Sequence, residues 1–306
     1  MAILTTRVTQ ALGAPLWRCM LLCLGLPGPC TALAQDEERS WNLGVALGYG
    51  ERGNPLINGE HIDINAVVDL SWYGERFFFD NGDFGFTLYE ARNHSFNLIT
   101  TYNNERNYYN YLTGRTFGLR TLLDNHFAAQ GEGIAPTERN KATSMMPAGY
   151  DPETLNLDTE LPDRDFAVNG GVEFLYISRW GDIQAQLLSD ISSTHNGQEA
   201  WLSWSKPWYT QRNEFTLTLG LEWKSANLVS YYYGVRADEA FPGREFYDGD
   251  PGTNGFVRFA ARHAFNTHWH LVGMLEREFL SSAIRRSPVV DKDQVDTFFA
   301  GLLYRF

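Results

Sequence analysis

A few sets of polar residues in this 306-residue chain have types and spacing that could do chemistry. His94-Ser95 would supply a base beside a nucleophile. Adjacent residues of a strand point to opposite faces, however, so only a turn could bring the pair into hydrogen-bond range. His268 and His270 lie two apart on one predicted strand face, with Glu276 and Glu278 further along it. That could begin a metal site, but neighbouring strands would have to complete the ligand shell, and side chains lining a wet lumen are the simpler reading. His195, in Ser192-Ser193-Thr194-His195-Asn196-Gly197, reads as a turn residue. A last set, spread along the chain, is expected on the inward faces of the strands, lining the lumen as a salt-bridged network or around water: Asp63, Asp69, Glu173, Asp190, Glu222, Glu276 and Glu278 against Arg258, Arg262 and Arg305. There is no nucleophile elbow, phosphate loop or zinc-helix motif, so no catalytic residue, metal or cofactor is assigned and a non-enzymatic role is expected.

The elements that position these residues begin after an N-terminal leader. Arg7 and Arg18 precede the apolar run Met20–Leu26, and Ala32-Leu33-Ala34 forms a small-x-small cleavage site before Gln35. This is the order of a secretory signal peptide over residues 1–34, with a single domain over 35–306. Cys19, Cys23 and Cys30, the chain's three cysteines, leave with it, so the exported chain is expected to hold neither thiol nor disulfide. Losing the two arginines takes the formal charge from −12 to −14. An acidic chain without a basic run is a poor match for phosphate backbones, which argues against nucleic acid as a partner.

Downstream, strand after strand alternates with one apolar face. Trp41, Leu43, Val45, Leu47 and Tyr49 oppose Asn42, Gly44, Ala46, Gly48 and Gly50; Phe215, Leu217, Leu219, Leu221 and Trp223 oppose Thr216, Thr218, Gly220, Glu222 and Lys224. In 61–72, Ile62, Ile64, Ala66, Val68, Leu70 and Trp72 are placed on the apolar face, opposite Asp63 and Asp69. A soluble sandwich shows the same period of two, but these runs approach the roughly 9–11 residues that cross a bilayer at a tilt, against about 5–6 for an average strand. Their apolar faces end in aromatics, and the last run ends in Tyr304-Arg305-Phe306, the kind of ending that outer-membrane barrels present to the barrel assembly machinery. The reading is an all-β, transmembrane antiparallel up-and-down barrel of about twelve strands, with ten as the alternative. The strands fall near 41–50, 61–72, 76–80, 84–90, 95–103, 165–177, 182–192, 199–206, 213–223, 254–264, 268–279 and 295–306. Short turns at Arg179–Gly181, Thr210–Arg212 and Asn266–Thr267 would face the periplasm, and long connections near 104–164, 224–253 and 280–294 would face outward. Outer-membrane lipid is then the surrounding partner.

The blocks between and within these strands resemble the MipA/OmpV family of outer-membrane proteins, named after an MltA-interacting protein. They are Tyr73-Gly74-Glu75-Arg76-Phe77-Phe78-Phe79 with Gly82-Asp83-Phe84-Gly85; Asp190-Ile191-Ser192 with His195-Asn196-Gly197-Gln198-Glu199; Tyr231-Tyr232-Tyr233-Gly234-Val235 with Glu239-Ala240; and Ser287-Pro288-Val289-Val290-Asp291. They run in family order from about Trp41 to Phe306, whereas about Asn104 to Glu160 looks like an insertion. The resemblance implies a barrel of the outer membrane and, for the founding member, a scaffold joining a murein-degrading transglycosylase to a murein synthase. It carries no catalytic residues. A narrow channel for small solutes and a surface adhesin stand as alternatives.

Overall fold

The computed structural model describes residues 41–109, 161 and 164–306. The expected leader and most of the expected insertion lie outside the described residues.

Alternating residues settle into extended backbone because each face then meets one environment. The strands that result are β1 (Trp41–Arg52), β2 (Ile62–Tyr73), β3 (Phe77–Asp80), β4 (Asp83–Glu90), β5 (His94–Tyr102), β6 (Val168–Tyr176), β7 (Asp182–Asp190), β8 (Gln198–Tyr209), β9 (Asn213–Lys224), β10 (Gly252–Ala264), β11 (Trp269–Phe279) and β12 (Gln294–Arg305). All neighbours pair antiparallel in chain order, and β12 pairs back onto β1, Gly44 opposite Arg305 and Gly48 opposite Gly301. The twelve described strands thus close into a barrel. Closure is what a membrane demands, because a sheet edge in hydrocarbon leaves backbone groups without partners. Among the described residues no helix is long and apolar enough to cross.

The shortest strands, β3 and β4, meet at Asn81-Gly82. Both residues take left-handed φ, +47° and +105°, as a tight hairpin of this composition requires. The connections after β1, β5, β9 and β11 gather at the end opposite Trp41 and Arg305, which in bacterial barrels is the outer end. Outside, Leu47, Leu187 and Leu275 are 64%, 63% and 62% exposed. Such apolar exposure repeated around a closed sheet is the signature of a lipid-facing band.

β2 corrects the expected pattern. Its pairing with β1 slips by one between Leu47 and Gly50, so that Gly48 and Tyr49 together face Asn65. On the terminal side of the slip Val67, Asp69 and Ser71 turn inward, as expected. Beyond it the alternation of β2 reverses: Ile64 is buried inside and Asp63 is exposed opposite Glu51. Asp63 is therefore not a lumen residue.

The inward face of β11 shows how the lumen is layered. His270 is followed by Val272 and Met274, then by Glu276 and Glu278, all buried. The middle pair belongs to an apolar cluster with Ala46, Ile64, Val67, Ala260, Phe299 and Leu303. All eight lie on β10, β11, β12, β1 and β2, so on that side of the barrel apolar residues stand between polar groups near the terminal end and others near the outer end.

Candidate functional site

The polar layer toward the terminal end is built from residues expected in the lumen. Asp69 accepts from Asn42 Nδ2 (3.2 Å) and from Arg305 Nη2 (3.4 Å), and Arg262 is paired with Glu214. Further round the wall Glu173 accepts from Asn97 (2.9 Å), Gln184 (2.8 Å) and Gln186 (2.6 Å). Each carboxylate is thus met by donors, the condition on which charge survives away from bulk water.

The layer toward the outer end is denser. Lys224, buried, places its ammonium 2.6 Å from Glu105, 3.1 Å from Glu222 and 3.8 Å from Glu278. Arg258 pairs with Glu276 at 2.6 Å, and Glu278 also takes Asn254 Nδ2 at 2.7 Å. Glu199 accepts from Asn103, Asn169 and Trp201. Between these groups is a cavity of about 40 Å³ lined by Arg52, Glu105, Glu199, Glu222, Glu276 and Glu278. That is room for a few waters.

Over this layer sits a cap. The 224–251 connection folds one helix, α1 (Ala226–Tyr233), because Leu228, Val229, Tyr232 and Tyr233 form a single apolar stripe. The last connection adds a turn of helix, α2 (Ser282–Arg285), whose Ile284 N–H meets the Ser281 hydroxyl. These pack with Leu56, Tyr108, Val235, Leu280, Val289, Val290 and Val295 into a second apolar core. Leu56 bridges to Val290, and Ile57 N–H donates to the Val289 carbonyl. Tyr233 OH donates to Glu105, tying the cap to the charged layer below; the Lys224 ammonium holds that carboxyl below its usual range although burial alone would raise it.

The family blocks acquire physical roles here. Tyr231, Tyr232 and Tyr233 complete the C-terminal half of α1, and Ser287 Oγ donates to the Tyr233 carbonyl. At Gly234 a Cβ would stand 2.1 Å from the Ser230 carbonyl oxygen, so only glycine lets the chain leave the helix in this direction. Asp190 is the second revision: at the rim of β7 it accepts from Ser192 N–H, His195 N–H and Asn196 N–H and shapes the β7–β8 loop. His195 is no simple turn residue either. It is buried, its ring lies 5.7 Å from that of Tyr232, and its Nδ1 accepts from Gly197 N–H. Burial pulls its pKa below the ordinary histidine value, despite Asp190 and Glu105 nearby.

Sequence reasoning passed over the residue that fastens the cap. Arg164, buried just ahead of β6, donates twice to Glu239 (2.8 and 2.9 Å), to the Tyr231 carbonyl (2.5 Å) and to the Gly234 carbonyl (3.3 Å). Burial would raise the Glu239 carboxyl, but these charge-assisted bonds hold it below its usual range. Lys224, Arg52, Glu105 and Glu199 were missed for the same reason: each reads in the sequence as an ordinary charge at a strand end or in a connection, and only folding shows which carboxylates surround which cation.

The chemical candidates separate. His94 points outward, its ring 5.6 Å from that of Tyr89, and Ser95 has the inward alternation, so they make no dyad. His268 lies exposed in the turn before β11, against Tyr304, while His270 is buried in the lumen; they share no face. Among the described residues no group of three or more His, Cys, Asp or Glu is placed to hold a metal.

A closed antiparallel barrel with a lipid-facing apolar band defines an integral outer-membrane protein. Within that class the chain belongs to the family of the MltA-interacting protein MipA, whose family model matches residues 43–306. It is similar to "Putative outer membrane protein YiaT" of Escherichia coli K12, 28% identical over 197 residues, covering 63% of this chain and 78% of that protein. It is also similar to the MltA-interacting protein of the same organism, 26% identical over 151 residues, 48% of this chain and 59% of that protein.

Proposed function

We propose that this protein is a non-enzymatic, non-conducting barrel that serves as a scaffold in the outer membrane, joining a murein-degrading transglycosylase to a murein synthase. The observation that carries the reading is how much of the interior is taken up by side chains: an apolar cluster on the inner faces of β10, β11, β12, β1 and β2, buried charged networks, and a cap with a core of its own at the outer end. A channel would give up stability to keep such space wet; here the space is spent on packing. What is left to act on a partner is the surface at either end. The name of one relative, MltA-interacting protein, supports a murein enzyme as that partner. Tagged protein drawn from detergent-solubilised envelopes should bring down a lytic transglycosylase and a murein synthase above the level of an unrelated barrel. Recovery of neither would remove the scaffold reading.

A further inference from the structure

We infer that the terminal end of the barrel is a docking surface for an acidic face of a periplasmic protein, built on arginines at four successive turns. The inference rests on the scaffold reading and says where the partner sits. Arg76 lies between β2 and β3, Arg92 between β4 and β5, Arg179 between β6 and β7, and Arg212 between β8 and β9. All four side chains are exposed, and among the described residues none has an ion-pair partner. This is unusual in a chain of formal charge −12 whose other arginines are largely spent on carboxylates. Among the described residues the acids at these four turns are fewer: Glu75 and Glu90 are exposed, and Asp182 is engaged by Ser178 N–H.

One turn is also built as an anchor. Arg179 stacks 4.9 Å over the ring of Trp180, which is 71% exposed, and Lys206 Nζ fixes the turn by donating to the Arg179 carbonyl at 2.6 Å. Arginine and tryptophan together are the side chains that most often dominate protein interfaces, and a ring of charge steers an oppositely charged partner into register. Lipid headgroups are the competing occupant. The aromatics that meet them, Trp208 and Tyr209, lie on β8 before its turn begins, whereas the arginines sit at the turn tips beyond. Charges at the tips of successive turns face an extended surface below the barrel better than they face lipids beside it.

The full chain in detergent would be compared with a quadruple variant, R76Q/R92Q/R179Q/R212Q, and with the matching Arg→Lys variant. Heat-modifiable migration in gels would establish that each is folded. The probes are immobilised poly-L-glutamate, standing for an acidic protein face, and phosphatidylglycerol vesicles. The wild type should bind poly-L-glutamate at low salt and lose it as salt rises. The glutamine variant should bind about tenfold more weakly or worse, and the lysine variant should keep most of the binding. Equal binding by wild type and glutamine variant would overturn the inference. So would a wild type that ignores poly-L-glutamate yet uses these arginines to bind the vesicles. If the glutamine variant still captures murein enzymes from envelopes as well as the wild type, the docking surface is wrong and the scaffold stands. If the wild type captures none, the scaffold fails, and the poly-L-glutamate comparison still decides the surface.

Discussion

Arg164 and His195 show how single side chains hold the cap on the barrel. Arg164 reaches one carboxylate and two carbonyls from a buried position, so Arg164→Ala leaves Glu239 with Arg236 alone among the described residues and unties the exit from α1. A cost of roughly 2–4 kcal/mol to the cap is expected, read as faster amide exchange across 231–241, with the barrel strands unchanged. Exchange equal to wild type would show that the cap is held elsewhere. His195 gives the cap a pH dependence. Its Nδ1 already accepts from Gly197 N–H, so protonation replaces an accepted bond with a buried donor. With the folded pKa below the unfolded value, the stabilisation is present above the unfolded pKa, near 6.5, and is lost as pH falls toward the folded value. Exchange in 191–197 should therefore quicken between pH 7.5 and pH 5, and His195→Gln should flatten that response. An unchanged slope in the variant would assign the effect to another group. Neither residue was legible as functional in the sequence: an arginine outside every strand and a histidine among turn residues look ordinary until their partners are known.

At the scale of elements the sequence was more informative, because a strand advertises its two faces by a period of two. β9 follows it throughout, with Leu219 46% exposed on the outside and Thr218, inside, sharing a hydrogen bond with Ser205 at 2.9 Å. Leu219→Arg puts a charge near the middle of the lipid band and should cost roughly 2–4 kcal/mol of barrel stability, measured by urea unfolding in lipid. Single cysteines at 218 and 219 should both resist a water-soluble maleimide, 218 because the lumen is packed and 219 because it is in lipid. Ready aqueous labelling at 218 would mean a wet lumen. β2 marks the limit of the method: the slip opposite Gly48 and Tyr49 moves Asp63 outward and Ile64 inward, and only the partner strand reveals it. The assembly signal is expected on the terminal strand. Phe306 N–H donates to the Leu43 carbonyl, and its ring meets Tyr304 at 4.9 Å. Deleting Phe306 should lower outer-membrane levels and leave periplasmic aggregates. Unchanged levels under overexpression would separate the last residue from assembly.

For the whole molecule, the barrel itself was readable from alternation, strand length and aromatic ends, whereas what fills its interior was not. The filling of the interior depends on helices inside connections that read as loops, and on cations and carboxylates brought together from segments far apart in sequence: Glu105 is held by Lys224, and Asp69 by Arg305. A twelve-strand barrel falls between packed eight-strand and open sixteen-strand sizes, so strand count alone left both outcomes open. Among the described residues the interior holds an apolar cluster on one side, buried charge networks and a cap, which favour the packed one. Conductance of the purified protein in planar bilayers tests this account most directly. Insertion without steady openings, at neutral pH and across a range of voltage, is the expected result. Reproducible ohmic steps in proportion to inserted protein would contradict it.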